Sequence, residues 1–567
     1  MSTFYLGLST SGHDPALALV DEAGRLVFAE ATERFVQDKR AWGIAPDHSP
    51  HLQHALDTIG FNAATDRLVV ASSWSATKAD VPVQVSNALL PGTEGLWLRS
   101  LQAQAQANAG ASLLRLELVD SMPSPLRFDH HLCHAVNACY QSSMDDAVCL
   151  VIDGEGEVGA ASLFDMADRR LKRRWRSWGP GSLGTFYAWL TMKCGFDWRL
   201  GEEWKVMGLA GFGNVIPELA DSLAAMLSIE NGRPKFNDQT LIDAACEAAA
   251  RYGRGAGDPI MKAADLAASG QAAYARLADQ VLTACARSGV RNLILSGGCA
   301  LNSSYNGTIA AGSGFDTVFV PSAPADDGNA VGAAILAFMQ ETGTARIPSS
   351  DGSAFLGSQP SLKTLAKAVQ AGGSAITSDL GGGSATVVAD RLQRGHVIGV
   401  MRGRAEFGPR ALGHRSILAD PRPAGMKDRI NEQIKGREAY RPFAPVVPAG
   451  KVADWFERSQ SSPYMSFTLP WRQSQRSRVP AVVHADGTGR LQTVSRESNA
   501  WMSDLVDAFG LATGVPIVLN TSFNIMGKPI VHSVEDAMAV LMTSGLDSVL
   551  IEDVLIEKRR TRDDECK

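Results

Sequence analysis

The chain has 567 residues, with 54 Lys+Arg against 60 Asp+Glu for a net charge of −6, and 45% hydrophobic residues against 20% charged. That length asks for more than one domain and can bury a large core, while the acidic balance argues against a protein built on nucleic acid, which needs a basic face. No apolar run approaches the ~18 residues of a membrane span, the N-terminus has no basic stretch ahead of a hydrophobic one, and eight cysteines without a CxxC pair exclude zinc-finger modules and a disulfide framework and fit a reducing cytoplasm.

The opening FYLGLSTSGHDPALALVDEAGRLVFAEATERF reads as strand, tight Gly/Ser/His/Asp turn, strand, short turn, strand. The same order returns at AVCLVIDGEGEVGAASLFDMADRRLKRRWR, so a duplicated β-β-β-α layout with mixed sheets is predicted, against the alternative of two unrelated hairpins. The basic run Arg169, Arg170, Lys172, Arg173, Arg174 and Arg176 reads as the turn and polar face of a strand. Further on come a long amphipathic helix, AADLAASGQAAYARLADQVLTACARSG, a strand entering a glycine turn, NLILSGGCALN, and a small-residue helix, NAVGAAILAFMQET. The Ser/Gly/Pro-rich PSSDGSAFLGSQPS at 348–361 predicts a boundary, giving domains of 1 to about 350 and about 360 to 567. Beyond it, ATVVADRLQRG and VEDAMAVLMTSG read as helices, and HVIGVMRGR and PIVLNTSF as strands.

In Asp129-His130-His131-Leu132-Cys133-His134-Ala135, His130 and His134 are spaced to share one helical face, and His131 to point away from it. Two imidazoles need carboxylates to complete a metal site. Asp153 in VIDGEGE and Asp327 in PADDGNAVGAA each end a strand or loop just before a glycine turn, and the set of His130, His134, Asp153 and Asp327 would suit Fe(II), Mn(II) or Zn(II). The alternative is a pair of satisfied histidines at a helix start. Gly154 and Gly156 in DGEGE, and Gly297 and Gly298 in SGGCALN, which ends on Asn302, are glycine turns through which backbone N–H groups can approach a phosphate, although neither a P-loop nor a Rossmann pattern is present. His13 sits in the first turn. Glu202, Glu203 and Lys205 precede a Gly-rich run that also reads simply as a solvated loop.

The second half carries Arg404, Arg410 and Arg415 in GRAEFGPRALGHRSILADPR, then Lys435, Arg437 and Arg441 in IKGREAYRPFAPVV, Arg490 in GTGRLQTV, and the run Asn520 to Asn524 after a strand. The planar guanidinium reads phosphate and carboxylate bidentately. So many cations in a net-acidic chain point to a small anionic ligand bearing phosphate or a phosphoanhydride, not to a polymer.

Taken together, HDPALAL (13–19), ERFVQDK (33–39), HHLCHA (130–135), DGEGE (153–157), KVMGLAGFG (205–213), SGGCALN (296–302), DDGNAVGAA (326–334), EFGPRALGHRSILADPR (406–422), YRPFAPVV (440–447) and NTSFNIMGKPIVHS (520–533) resemble the O-carbamoyltransferases of the NodU/CmcH type, in order over nearly the whole chain. The resemblance implies an α/β enzyme with an actin-like (ASKHA, RNase H-like duplicated) N-terminal domain and a YrdC-like C-terminal domain. It implies that carbamoyl phosphate and ATP, with Mg²⁺, form O-carbamoyladenylate in the C-terminal domain, and that the carbamoyl group then passes to a hydroxyl of a natural product in the N-terminal domain. Mapped onto this chain, Arg410, Lys435, Arg441 and Arg490, completed by Asn520 and Ser522, cradle carbamoyl phosphate and the ATP phosphates. His130, His134, Asp153 and Asp327 hold an iron-type cation, and Gly154, Gly156, Gly297, Gly298 and Asn302 lie on the nucleotide side. His13 is the general base or acceptor-orienting group, Lys39 contacts the adenylate, and Glu202 and Lys205 stand where the acceptor is expected. The acceptor is a specialised-metabolite alcohol, and the apolar residues Leu89, Leu90, Leu96, Trp97 and Leu98 favour one that is bulky and partly apolar. A tRNA threonylcarbamoyl-adenosine enzyme would share both folds but needs a basic surface, a hydrogenase-maturation carbamoyltransferase needs cysteine-rich zinc modules, and an idle ATP-binding actin-like protein would consume no carbamoyl phosphate. Oligomeric state is open, a homodimer included.

Overall fold

The computed structural model describes residues 2–75, 89–90, 92–286, 290–312, 314–371 and 375–558. Side chains of strand β1 (Thr3–Leu8) alternate between two faces, as the pleat requires. Leu6 and Leu8 join Leu17, Leu19, Phe28, Leu52 and Leu56 in one core layer. Tyr5 and Gly7 meet helix Asn329–Thr342 on the other face: the Tyr5 and Phe338 rings lie edge to face at 5.6 Å, and a Cβ on Gly7 would stand 1.9 Å from the Ala330 carbonyl oxygen. Only glycine admits the helix at that distance.

From β1 the chain turns through His13 into β2 (Ala16–Val20) and β3 (Leu26–Ala31), and β4 (Arg67–Ser72) and the short β5 (Leu126–Arg127) extend the sheet beyond β1. Among the described residues the order is β3-β2-β1-β4-β5, with β1 antiparallel to β2 and parallel to β4. The arrangement then repeats. β6 (Ala147–Ile152), buried along its whole length, runs antiparallel to β7 (Ala161–Ala167), which pairs with β8 (Arg170–Arg176). After a hairpin of β9 (Leu227–Glu230) and β10 (Arg233–Phe236), β11 (Asn292–Ser296) returns parallel to β6, with β12 (Thr317–Phe319) outside it, in the order β12-β11-β6-β7-β8. Each sheet is thus a three-stranded meander extended by parallel strands, the duplicated layout with mixed sheets expected from the two echoing segments.

The helix His130–Gln141 and the helix Asn329–Thr342 also meet at a glycine, because a Cβ on Gly332 would lie 2.0 Å from the Cys133 carbonyl oxygen. Gly332→Ala is expected to cost roughly 1–3 kcal/mol of stability by forcing the helices apart. A thermal unfolding midpoint equal to that of the unsubstituted protein would show instead that the contact can yield.

The basic run is absorbed locally. Buried Arg169 donates to the carbonyls of Cys139, Ser142, Met144, Ile347 and Pro348. On β8, Arg173 and Arg176 pair with Asp129, and Arg174 with Asp165.

Two units divide the chain, Met1–Ser353 and Ala354–Lys567, and the division falls inside the Ser/Gly/Pro-rich stretch. The second unit holds a mixed sheet of β13 (Ala375–Asp379), β14 (Ile398–Met401), β15 (Arg415–Ala419), β16 (Ala444–Pro448), β17 (Phe467–Pro470), β18 (Thr488–Val494), β19 (Val518–Ser522), β20 (Ser548–Ile551) and β21 (Val554–Lys558). Their order among the described residues is β13-β21-β20-β14-β15-β19-β16-β18-β17. Val388 and Leu392 of helix Ser384–Gln393, and Leu505 and Phe509 of helix Ala500–Thr513, pack on Ile398, Val400, Leu418 and Leu550 of this sheet. No helix among the described residues is long and apolar enough to cross a membrane.

Candidate functional site

In the first unit the Asp129 side chain caps the histidine helix by accepting from Leu132 N at 2.9 Å. The helix then presents His130 and His134, both fully buried, one turn apart. Asp153, immediately after β6, turns its Oδ2 to both rings, 3.1 Å from His130 Nε2 and 3.2 Å from His134 Nε2, while its Oδ1 accepts from Gly298 N at 2.9 Å. That last bond needs the backbone of the β11 turn to pass close by: Gly297 has φ +88°, and a Cβ there would stand 2.3 Å from the Ile152 carbonyl oxygen. Asp326 Oδ1 completes the group, 3.3 Å from His134 Nε2 and 3.6 Å from His130 Nε2. One ligand atom from each of His130, His134, Asp153 and Asp326 lies within 4.8 Å of all the others, so these residues could hold a metal ion.

The electrostatics fit a cation. Burial works against charge on His134, yet Asp153 and Asp326 raise its pKa to about 10, and the histidines hold Asp153 well below the usual carboxylate range despite its burial. Two imidazole nitrogens 3.2 Å apart face the same carboxylates, an arrangement a divalent ion would complete with hard and borderline donors. His134 Nδ1 is 3.1 Å from the Pro324 carbonyl, an acceptor that directs the lone pair of Nε2 inward.

The fourth ligand position corrects the sequence expectation: Asp326, not Asp327, faces the histidines. Asp326–Gly328 is a single 3₁₀ turn, and successive side chains there diverge by about a third of a revolution. Asp327 therefore points elsewhere, accepts from Gly328 N at 3.0 Å, and has a pKa pushed up to about 7 by burial and by Asp14 and Glu33.

His13 borders this cluster, its Nε2 3.7 Å from Asp326 Oδ2. Its Nδ1 lies 3.0 Å from Asp14, and Arg40 grips the same carboxylate through Nη2 at 2.6 Å while its Nη1 reaches the Trp198 carbonyl. Burial would raise the Asp14 pKa, but Arg40 and His13 hold it well below the usual range. Asp14, Arg40 and Ala41 all have positive φ without being glycine, so this corner is locally strained. Lys39 precedes Arg40 on the same turn, and its charge acts on Glu33. Trp42 packs on His13 at 4.9 Å and on Trp97 at 4.7 Å, with Trp198 edge-on at 6.2 Å.

Other expected residues are engaged in holding the fold. Asn302 exchanges amide hydrogen bonds with Gln271 at 3.1 Å and caps the following helix at Tyr305 N. Glu202 accepts from Asp197 N and pairs with Lys205 at 2.6 Å, whereas its neighbour Glu203 is the one whose charge reaches Arg40. A Cβ on Gly156 would collide with His131 Nε2 at 2.6 Å, while Gly154 has open space at that position.

In the second unit the Glu406 carboxylate, fully buried, collects the N–H groups of Leu412, His414 and Arg415 at 2.7, 2.8 and 3.1 Å. The coil it closes carries Arg410. Arg410, Arg437, Arg441 and Arg490 converge: burial lowers the Arg490 pKa well below its ordinary value and the other three guanidiniums lower it further. Burial brings Arg410 down to about 10, and Arg437, also lowered by burial and by Arg441, stacks on Phe443 at 4.8 Å. Glu438 approaches Arg441 at 3.4 Å. Partly buried like charges gathered this way could bind an anion.

Arg404 and Arg415 do not join them. Arg404 donates to the carbonyls of Leu356 and Gly357, and Arg415 to those of Ser358, Arg402, Gly403 and His414. Lys435, at the end of a π-helical turn, is 2% exposed and donates to Ser522 and Asn524, so it braces the end of β19. Asn520 is fully buried; its Nδ2 donates to Ala411 O at 3.0 Å and to Gln492 at 2.7 Å, and among the described residues its Oδ1 has no hydrogen-bond partner.

Family models for the carbamoyltransferase N-terminus and C-terminus match residues 5–335 and 389–558. The chain belongs to the carbamoyltransferase family. This carbamoyltransferase is 34% identical to nodulation protein NolNO of Sinorhizobium fredii over 97% of its own length and 80% of the relative's. It is 31% identical to the 3'-hydroxymethylcephem-O-carbamoyltransferase of Amycolatopsis lactamdurans over 76% of its own length and 80% of the relative's. Among solved structures, that of (R)-2-hydroxyglutaryl-CoA dehydratase component A from Acidaminococcus fermentans is similar over 60% of this carbamoyltransferase and 99% of that chain, at a TM-score of 0.32 and 12% identity.

Residue spacing alone left Asp326, Glu406 and the Asp14–Arg40 pair of this carbamoyltransferase unassigned, and named Arg437 only as one cation in a run. The flanking glycines of EFGPRALGHR were the available signal for Glu406, since such a coil needs an internal acceptor for its N–H groups.

Proposed function

We propose that this carbamoyltransferase makes carbamoyl-adenylate from carbamoyl phosphate and ATP in its second unit and passes the carbamoyl group to an alcohol in its first. The convergence of Arg410, Arg437, Arg441 and Arg490 carries the reading, because partly buried guanidiniums gathered in a net-acidic chain suit a small polyanion.

In the first stage water takes the phosphoryl group from carbamoyl phosphate, and an oxygen of the resulting carbamate attacks the α-phosphorus of Mg²⁺-bound ATP. The α–β anhydride breaks, pyrophosphate leaves with the electron pair, and carbamoyl-adenylate remains. Fixed guanidiniums stabilise charge on the departing phosphates without reorganising. The lone acceptor Asn520 Oδ1 suits an amide donor such as the carbamoyl NH₂.

In the second stage an acceptor hydroxyl attacks the carbamoyl carbon, its proton passes to His13, and AMP leaves. Arg40 keeps Asp14 ionised, and Asp14 orients the His13 ring. Lys39, next to Arg40 on the same turn, would contact the adenylate. His130, His134, Asp153 and Asp326 would hold a divalent ion, Fe(II), Mn(II) or Zn(II), which when bound supplies Lewis-acid polarisation of a phosphate or carbonyl oxygen. The wall of Trp42, Trp97 and Trp198 beside His13 supports an acceptor with a partly apolar face. Residues 76–88 of the segment expected to shape the acceptor side lie outside the described residues.

The test needs no acceptor. The protein incubated with carbamoyl phosphate, ATP and Mg²⁺ should yield carbamoyl-adenylate and pyrophosphate by mass spectrometry, dependent on carbamoyl phosphate. ADP as the sole nucleotide product would sink this reading in favour of a kinase or ATPase.

A further inference from the structure

The two histidines of the cluster have different partners on their outward nitrogens. His134 Nδ1 faces a backbone carbonyl, which can only accept. His130 Nδ1 faces the side chain of Asn329, the first residue of helix Asn329–Thr342, with Nδ2 at 3.2 Å. Asn329 is fully buried, and among the described residues its Oδ1 has no hydrogen-bond partner. Its place is fixed by the glycine contacts that clamp this helix onto β1 and onto the histidine helix. Trp74, stacked on the His130 ring at 4.4 Å, limits movement of the imidazole itself.

An amide has nearly the same outline in its two orientations, which differ in whether nitrogen or oxygen faces the ring. With Nδ2 toward Nδ1, the neutral imidazole must carry its proton on Nε2, the nitrogen 3.1 Å from Asp153. That form can donate to Asp153 but offers a cation no lone pair. With the amide turned over, Oδ1 accepts from Nδ1–H, the proton leaves Nε2, and the inward lone pair is free.

We propose that Asn329 is a positioning residue for His130, its side-chain oxygen selecting the tautomer in which Nε2 can bind a cation. The proposal rests on reading the histidine–aspartate cluster as a metal centre. Because the amide serves either tautomer, Asn329 fits the site both empty and loaded, which the Pro324 carbonyl cannot do for His134.

The test is metal affinity, read without turnover. Metal-stripped full-length protein is titrated with Zn²⁺ against a competing chelator, alongside Asn329→Leu, Asn329→Asp and His134→Ala. Asn329→Leu, branched at the same carbon but bulkier and unable to accept, should bind Zn²⁺ about 10–100-fold more weakly. Asn329→Asp, whose carboxylate can only accept, should bind at least as tightly as the unsubstituted protein. Thermal unfolding of the stripped variants checks that the fold is retained. Equal affinity for Asn329→Leu, or a tenfold loss in Asn329→Asp, would overturn the role of Asn329 and leave the centre standing. No Zn²⁺ bound by the unsubstituted protein, or undiminished binding by His134→Ala, would overturn the centre and this role with it.

Discussion

Arg490→Ala should lower the rate of carbamoyl-adenylate formation by about 10²–10³-fold, the usual cost of removing one fixed donor from a site of developing negative charge. Arg490 projects from β18, and its pKa is depressed by burial first and then by Arg410, Arg437 and Arg441. Its Nε has no hydrogen-bond partner among the described residues. A guanidinium held there against its own neighbours has no structural use that a neutral side chain would not serve at lower cost, so its loss should even raise thermal stability while removing activity. Arg496→Ala supplies the control for charge alone, since Arg496 is a surface group paired with Asp504 and 69% exposed in its side chain. Adenylate made at the normal rate by Arg490→Ala would refute the assignment of the first stage to this cluster.

The second large effect separates two adjacent carboxylates. Asp326→Asn should weaken divalent-metal binding by at least the roughly 100-fold that marks the upper range for groups one shell further out, and should stop carbamoyl transfer while leaving adenylate formation intact. Asp327→Asn should retain the metal, because that side chain faces Asp14 and Glu33 and not the histidines. Metal content by elemental analysis after dialysis decides the matter without an acceptor. Retention by Asp326→Asn with loss by Asp327→Asn would restore the assignment drawn from residue spacing.

The contrast shows what a sequence holds and what it withholds. His130 and His134 were legible because helical spacing alone puts them on one face, and Asp153 because an apolar strand ending in Asp-Gly must deliver that side chain at a sheet edge. The duplicated sheets were legible from two runs with the same order of strands and turns. Whether Asp326 or Asp327 turns inward depends on the phase of a single 3₁₀ turn, which no local pattern encodes. Lys435 and Asn302 look like ligand-binding groups by type and motif, yet their partners, Ser522 and Asn524 for one and Gln271 for the other, lie far along the chain. Such pairings arise only when strands and helices assemble. Arg415 repeats the lesson, a cation of a Gly-rich motif whose nitrogens go to carbonyls of its own scaffold.

The seat that Gly7 offers to Ala330 has a consequence in time. The first sheet takes its cover on that face from a helix that begins at residue 329, close to the end of the same unit. At about 5–20 residues per second of synthesis, an emerging chain would carry β1 with that face bare for roughly 20–60 seconds before its partner leaves the ribosome. Asp326 emerges in the same late segment. Until that segment emerges, ribosome-bound intermediates of this protein expose the bare sheet face, an aggregation hazard of the kind chaperones relieve, and hold three residues of the cluster, His130, His134 and Asp153.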